Sequence, residues 1–412
     1  MASPSPTNVA ELRGDKPRLP ADGLALSLSG GGYRAMLFHA GVLIRLNEMG
    51  LLPKISRISS VSGGSITAAL LGLKWKNLKF DATSGVAANF IPEVVAPLRT
   101  FAATTVDVNA VLVGALTPGI SVSDRVVAAY KRALFGEATL QDLPDDRGRK
   151  APRFVINATN VQTGTLMRFS RPYLADYSIG LVRRPVVPLA VAVAASSAFP
   201  PFLSPLVLAC DQMEFDDRVA PGLEFTDPNY RKNLTLTDGG VYDNLGMETI
   251  WKRYPHVLVS DAGQKMHGEP EPKKNWLSHL IRVLDVVDNQ VRSLRKRQML
   301  DAFTNPNDVH KGTYWSIKGD IADYPVLRTE DGDKTIFAAC DSLVTRKIAL
   351  IATRLALLSG EDQDHLCNWG YAASDAAIRA WCESLLKNVY GIAITPPTKF
   401  PFALGLGSRP VI

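Results

Sequence analysis

Three short stretches of the chain carry residue types that acyl transfer requires. The first is Ser56-Arg-Ile-Ser-Ser-Val-Ser-Gly-Gly-Ser-Ile-Thr-Ala-Ala-Leu70, which reads as a strand end, a sharp turn and a helix, with Ser62 at the turn. Ser60 stands two residues before Ser62 and Gly64 two after, close to the G-x-S-x-G elbow that lifts a serine nucleophile above a sheet. Serine replaces the first glycine. The elbow brings strand and helix close together and needs small neighbours, which Ser60, Gly63 and Gly64 are. Alone, the stretch is explained equally well by an ordinary small-residue turn. The second stretch is a glycine loop, Gly30, Gly31 and Gly32, and the third is Asp238 followed by Gly239 and Gly240. A serine hydroxyl is a poor nucleophile near neutral pH unless a base takes its proton, and the developing oxyanion needs preorganised donors. The N–H groups of Gly30, Gly31 and Gly32 can be those donors, because consecutive glycines turn their amides inward with no side chain in the way. Asp238 can act directly on Ser62 as a Ser–Asp dyad. Asp261, in Ser260-Asp-Ala-Gly263, is its rival. None of the six histidines lies in a triad context, and His39, among apolar residues, reads as a core or supporting histidine.

These residues need strands to deliver them. Leu24-Ala-Leu-Ser-Leu28 alternates as a buried strand and runs into the glycine loop, and residues 35–49 follow at helical spacing. Residues 55–60 and 65–74 repeat the strand and helix, so the first 75 or so residues form a βαβα pattern that implies a parallel sheet. In such a sheet strand carboxyl ends share an edge, where residues distant in sequence converge. Residues 78–150 read as short helices and loops with a clearer helix at 123–135, either a lid or an ordinary helical insertion. Residues 154–160 and 165–169 form a hairpin, 188–198 a buried helix stopped by Pro200 and Pro201, and 234–237 a strand ending at Asp238. A strand at 256–260, a long amphipathic helix at 276–303 and helices at 342–358 and 373–389 complete the pattern. The basic end of the 276–303 helix suits an anionic membrane surface, and a solvated face explains it as well.

Composition excludes disordered and fibrous classes: of 412 residues, 46% are hydrophobic and 21% charged. A net charge of +6 favours anionic surfaces such as phospholipid headgroups without separating them from nucleic acid. The four cysteines lack C-x-x-C spacing, which suggests neither a zinc site nor a redox pair. Residues 1–20 are Pro-, Ser- and charge-rich without a signal-peptide core, which leads to the expectation of a flexible tail and cytoplasmic residence. Residues 21–395 are expected as one domain and 396–412 as a tail; the apolar run 186–210 is interrupted by prolines and serines and does not suit a bilayer span.

Ser29-Gly-Gly-Gly-Tyr-Arg-Ala-Met36, Ser60-Val-Ser-Gly-Gly64, Ala194-Ala-Ser-Ser-Ala-Phe-Pro-Pro201 and Asp238-Gly-Gly-Val-Tyr-Asp-Asn244, in this order, together resemble the patatin-like phospholipase family. The resemblance spans about residues 22–265, and Asn289-Gln-Val-Arg-Ser-Leu-Arg-Lys-Arg297 extends it. The loop around Arg34 is closer to cytosolic phospholipase A2 relatives. The resemblance implies an α/β fold, a three-layer α/β/α sandwich around a mainly parallel sheet, and hydrolysis of lipid acyl esters without a metal or other cofactor. It implies Ser62 as nucleophile, Asp238 as base, Gly30, Gly31 and Gly32 as the oxyanion loop, and Arg34 as a contact to substrate phosphate. A lipid substrate, peripheral contact with membranes and no nucleic-acid partner are expected with it. Ser60 departs from the family's usual glycine. Two other readings stand beside hydrolysis. One is acyl transfer to an acceptor other than water, against which the lack of a well-placed histidine counts. The other is a non-catalytic module whose glycine loop cradles a nucleotide phosphate, which leaves Ser62 and Asp238 unexplained.

Overall fold

Alternating residues in the first strand face two different helical layers. β1 (Leu24–Leu28) turns Leu24, Leu26 and Leu28 into the main core and Ala25 into a smaller core on the opposite face. The main core is covered by α1 (Gly32–Glu48), α2 (Gly63–Lys74), α3 (Ala96–Ala102), α4 (Val122–Tyr130) and α5 (Leu189–Ser196). Over the opposite face lie the helical turns Gly240–Asp243 and Glu248–Trp251 and the long α6 (Trp276–Thr304). There Leu245, Met247, Ile250 and Met299 meet Ala25, Val257 and Val259. This computed structural model describes residues 22–106, 121–201, 203–216, 225, 227–264, 266, 268–325 and 340–407. The expected tail at 1–20, the stretch 107–120 of the helical insertion, and the last residues of the expected C-terminal tail lie outside them. Among the described residues no helix is long and apolar enough to cross a membrane.

The sheet is mixed. β11 (Lys311–Ser316), β10 (His256–Asp261), β1, β2 (Ile55–Val61) and β3 (Arg153–Asn160) run parallel in that spatial order. Beyond β3 the chain continues antiparallel through β4 (Thr165–Phe169), β5 (Tyr173–Asp176), β6 (Gly180–Arg183) and β8 (Phe215–Asp216), while β7 (Leu206–Ala209) pairs with β9 (Asn233–Asp238). The parallel half agrees with the βαβα reading. β9 arrives differently from the parallel delivery expected of it, because it pairs with β3 antiparallel. β3 outlasts β2. Its residues as far as Asn157 pair with β2, ending at Val61 against Asn157, and Ala158 to Asn160 then pair with β9, where Ala158 stands against Asp238. β4 occupies the other edge of β3 over the same residues. β2 and β9 therefore lie end to end along one edge of β3 and meet with their carboxyl ends facing.

The helical reading of 342–358 is shortened to α7 (Ser342–Ala349), and that of 373–389 becomes α8 (Gly360–Trp381) followed by α9 (Glu383–Tyr390). The backbone between α7 and α8 is irregular because it lies over the glycine loop, where Arg354 O accepts the Tyr33 N–H at 3.0 Å. α8 packs along α1 at a glycine crossing: a Cβ on Gly41 would lie 1.8 Å from Cys367 O. Within 78–150, Val94, Leu98, Phe101, Tyr130 and Phe135 are buried in the main core, and the helix expected at 123–135 is α4 continued by a wider turn at Lys131–Phe135. Residues 396–407 lie against α8, with the Asn368 side chain donating to Phe402 O and Gly405 O.

Candidate active site

Ser62 occupies the turn between β2 and α2 with φ 51° and ψ −123°. A positive φ at a residue with a side chain costs about 1–3 kcal/mol and persists only where its surroundings impose it. Here they do. The Ser62 N–H donates to Ser196 Oγ at 2.9 Å, the Ser196 hydroxyl donates to Asn157 O at 2.6 Å, and the Gly239 N–H donates to Ser196 O at 3.2 Å. One buried serine thus ties together the elbow, β3 and the turn after β9. Close approach explains the two glycines, since a Cβ on Gly63 would lie 2.1 Å from Gly32 O and one on Gly64 2.5 Å from Leu28 O. Ser60 fits as a hydrogen-bonding residue: its hydroxyl accepts from Ser65 Oγ at 3.0 Å and donates to Val155 O at 3.3 Å.

Asp238 faces this elbow from the end of β9. Its backbone is fixed by the Asp238 N–H donating to Ala198 O at 2.9 Å and by Thr159 Oγ1 donating to Asp238 O at 2.8 Å. Its carboxyl accepts the Gly240 N–H at 2.7 Å. Burial pushes the pKa up, outweighing the lowering by the Gly240 N–H and by the Ser62 side chain, and Asp288 adds to the rise; the result is about 7. Asp261 is the opposite case. Burial raises its pKa too, but Lys318, Arg292, the Tyr314 hydroxyl at 2.7 Å and the Gly263 N–H at 2.8 Å outweigh that and leave it below the usual carboxylate value. It stands at the end of β10, separated from β2 by β1. Two buried carboxyls are thereby driven apart, the one beside Ser62 towards neutral pH.

The glycine loop at the end of β1 is divided. The Gly30 N–H is spent on Asn244 O at 3.1 Å, so Gly30 does not offer the donor expected of it. It instead gives room, because a Cβ there would lie 2.3 Å from Asn244 Oδ1 and 3.1 Å from Ser62 Cβ. Gly31 and Gly32, with φ 146° and 59°, are buried, and among the described residues their N–H groups have no hydrogen-bond partner. Buried N–H groups are seldom left unpaired without a ligand to receive. Behind the loop His39 is fully buried. Its Nε2 lies 2.9 Å from Ser29 O and its Nδ1 2.9 Å from Ser260 Oγ, which also accepts the Trp315 Nε1–H at 2.9 Å. Burial pulls its pKa down to about 4, so the ring is neutral and braces the loop.

Arg34 is placed otherwise than facing a substrate. It is fully buried, and its guanidinium donates to Ala262 O at 3.1 Å, to Ile351 O and to Thr353 Oγ1 at 3.0 Å. It pins the end of β10 and the segment after α7 to α1. Sequence reasoning passed over Ser196, Asn157 and Asn244 as individual residues. Ser196 and Asn244 sit inside two quoted motifs, and a serine in the otherwise apolar Ala-Val-Ala-Ala run of α5 is the signal that could have singled it out. Among the described residues no group of His, Cys, Asp and Glu is arranged to hold a metal ion.

Residues 26–251 match the sequence model of the Patatin-like phospholipase family, more than half of the chain. Human GIVD cytosolic phospholipase A2 is similar in structure at 14% identity and a TM-score of 0.37, over 58% of this chain and 45% of that one. VipD from Legionella pneumophila is similar at 15% identity and a TM-score of 0.33, over 86% of this chain and 66% of that one. The chain spans less than half the length of the human enzyme. Comparison with curated proteins gave no match. The family match covers the end of β1 with its glycine loop, the elbow, α5 and the Asp238 turn together, and on it this chain belongs to the patatin-like phospholipase family.

Proposed function

We propose that the chain hydrolyses carboxylic esters of lipids through an acyl-enzyme on Ser62, with Asp238 as base. The observation that carries this reading is the end-to-end meeting of β2 and β9, which sets a strained serine against a buried carboxyl whose pKa lies near 7. Asp238 takes the Ser62 proton as Oγ attacks the ester carbonyl carbon. The carbonyl oxygen becomes an oxyanion and receives the N–H groups of Gly31 and Gly32. Collapse expels the alcohol, which leaves with the proton held by Asp238. Water then gives a proton to Asp238 and attacks the acyl carbon; the carboxylic acid departs, and the proton returns to Ser62. A fluorophosphonate probe, which reacts with activated serines, is expected to label the wild-type chain and not Ser62→Ala. Undiminished labelling of Ser62→Ala removes Ser62 as nucleophile.

The substrate class brings a surface with it. α6 carries the apolar stripe read from its sequence, but its first half turns outward, leaving Trp276, Leu284 and Val287 76%, 51% and 54% exposed. Large contiguous apolar surface is unusual on a soluble face and marks an interaction site. Lys273 and Lys274 precede it and suit an anionic phospholipid surface, whereas Arg282 within it is paired with Glu269 at 3.9 Å. α6 also comes near the reacting groups, since Asp288 acts on the Asp238 carboxyl. The chain is expected to co-sediment with anionic phospholipid vesicles, more weakly with neutral ones, and Leu284→Asp with Val287→Asp to lose at least about tenfold in binding. Unchanged sedimentation of that double variant overturns α6 as the docking face.

A further inference from the structure

The carboxyl edge of the sheet carries a second concavity that the hydrolytic reading does not use. β10 and β11 end side by side at Asp261 and Ser316, on the far side of β1 from Ser62. A cavity of about 540 Å³ opens there against α6, lined among others by Asn289, Arg292, Lys296, Tyr314, Ser316 and Lys318. Two strand spacings separate the ends of β2 and β10, about 10 Å. The side chain of Asn244 stands between the two sites: its Oδ1 lies 2.3 Å from where a Cβ on Gly30 would be, and its Nδ2 3.2 Å from where one on Gly263 would be.

Three cations, Arg292, Lys296 and Lys318, line this cavity together with three carboxylates, Asp261, Asp320 and Asp323. Arg292 is nearly buried and donates from Nη2 to Gln264 O at 2.7 Å, and Lys296 Nζ lies 4.5 Å from the centre of the Tyr314 ring. Among the described residues the Lys318 ammonium has neither a hydrogen-bond nor a salt-bridge partner. Of the acids, Asp261 accepts one hydrogen bond on each carboxylate oxygen, from Tyr314 and from the Gly263 N–H. Asp320 accepts the Ala322 N–H at 3.1 Å and pairs with Arg346 at 3.6 Å, and Asp323 is exposed at the rim. Lys318 feels Asp261 together with Arg292, Arg34 and Lys296, and Arg292 and Lys318 in turn act on Asp288, as do Asp261 and Asp285. Burial lowers the Lys318 pKa, and although Asp261 opposes this, Arg292, Arg34 and Lys296 lower it further, to about 8. The carboxylates of the lining have partners of their own or stand at the rim, and a partly buried ammonium without one is relieved by an anion. A guanidinium and two ammonium groups in one cavity, with the Ser316 hydroxyl also in its lining, suit the oxygens of a phosphoryl group.

We propose that this cavity is a phosphate site in which Arg292, Lys296 and Lys318 hold the phosphoryl oxygens of a ligand. Its chemistry is common to a phospholipid headgroup, whose ester would reach Ser62 past Asn244, and to a free phosphate that occupies the cavity independently. The first source rests on the lipid-hydrolase reading, and the second does not.

The test uses the full chain and Lys318→Gln, with Lys318→Arg as the charge-keeping control and circular dichroism as the check on folding. Calorimetric titration of Ser62→Ala with inorganic phosphate is expected to show binding at millimolar concentration. Adding Lys318→Gln weakens it about tenfold, and adding Lys318→Arg restores most of it. In parallel, hydrolysis of phosphatidylglycerol is compared with that of a diacylglycerol of the same acyl chains. A phospholipid-to-diacylglycerol ratio of kcat/KM that falls about tenfold in Lys318→Gln identifies the headgroup as the source. A ratio that stays put while phosphate affinity falls identifies free phosphate. No phosphate binding together with an unmoved ratio overturns the site, as does phosphate binding that Lys318→Gln leaves intact. If neither lipid is hydrolysed, the hydrolase reading fails, and the titration alone decides the cavity: binding that Lys318→Gln weakens supports it, and no binding overturns it.

Discussion

Asp238→Asn is expected to lower kcat/KM by about 10²- to 10⁴-fold while leaving the fold in place. The amide is nearly isosteric, and its oxygen can still accept the Gly240 N–H at 2.7 Å, but it cannot take the Ser62 proton. The wild-type rate should depend on pH accordingly. Only the ionised carboxyl is a base, so kcat/KM falls about tenfold per unit as pH drops below about 7, and this limb is missing from whatever activity Asp238→Asn retains. Stability moves the other way. A carboxyl raised from about 4 in the unfolded chain to about 7 in the folded one holds its proton in the native state across that window. The stabilisation is therefore complete below about pH 4 and lost as pH rises through about 7. Asp238→Asn never carries the buried charge, so it is expected to melt at a higher temperature than wild type at pH 8, with the gap closing towards pH 5. Equal melting temperatures at pH 8, or a wild-type rate flat between pH 5 and 8, would each show that Asp238 is not a buried base.

Gly32→Ala is the second large effect. The residue has φ 59°, and a Cβ there would lie 2.5 Å from Arg354 O and 2.8 Å from Arg354 N, both main-chain atoms that cannot rotate away. Either the segment between α7 and α8 lifts or the loop shifts, and both move an amide assigned to the oxyanion. A loss of about 10²- to 10³-fold in kcat is expected, the size reported for removal of one such donor. The strain adds a destabilisation of at least about 1 kcal/mol, seen as a lower denaturation midpoint. Retained kcat in a folded Gly32→Ala protein would move the oxyanion donors elsewhere.

How far the site was legible in the sequence follows from which contacts are local. β1 with its glycine loop, and β2 with the elbow, were readable because alternation, small residues and helical spacing lie within about fifteen residues of one another. Asp238 was readable as a strand end. The direction of β9 was not, since Leu234-Thr-Leu-Thr237 reads the same in a parallel or an antiparallel sheet and only its pairing with Ala158 to Asn160 decides. Arg34 looked available because its partners are carbonyls of Ala262 and Ile351, far along the chain and invisible as side-chain types. Gly30 lost its donor for the same reason, through Asn244 O. The start of α8 had a local signal that was passed over: Ser359 caps the helix, accepting the Asp362 N–H at 3.1 Å, three residues ahead.

The end-to-end meeting of β2 and β9 on β3 also governs how this protein can vary. The 175 or so residues between Ser62 and Asp238 do not set the distance between them; adjacent positions of one strand, Asn157 and Ala158, do. Loops in that interval can lengthen, shorten or be exchanged while Ser62 and Asp238 keep their spacing. A one-residue slip in β3 would move one against the other by about 3.3 Å, more than the length of the proton transfer proposed for them. The proposed reaction thus depends on the register of one strand, while the loops between Ser62 and Asp238 are free of that constraint.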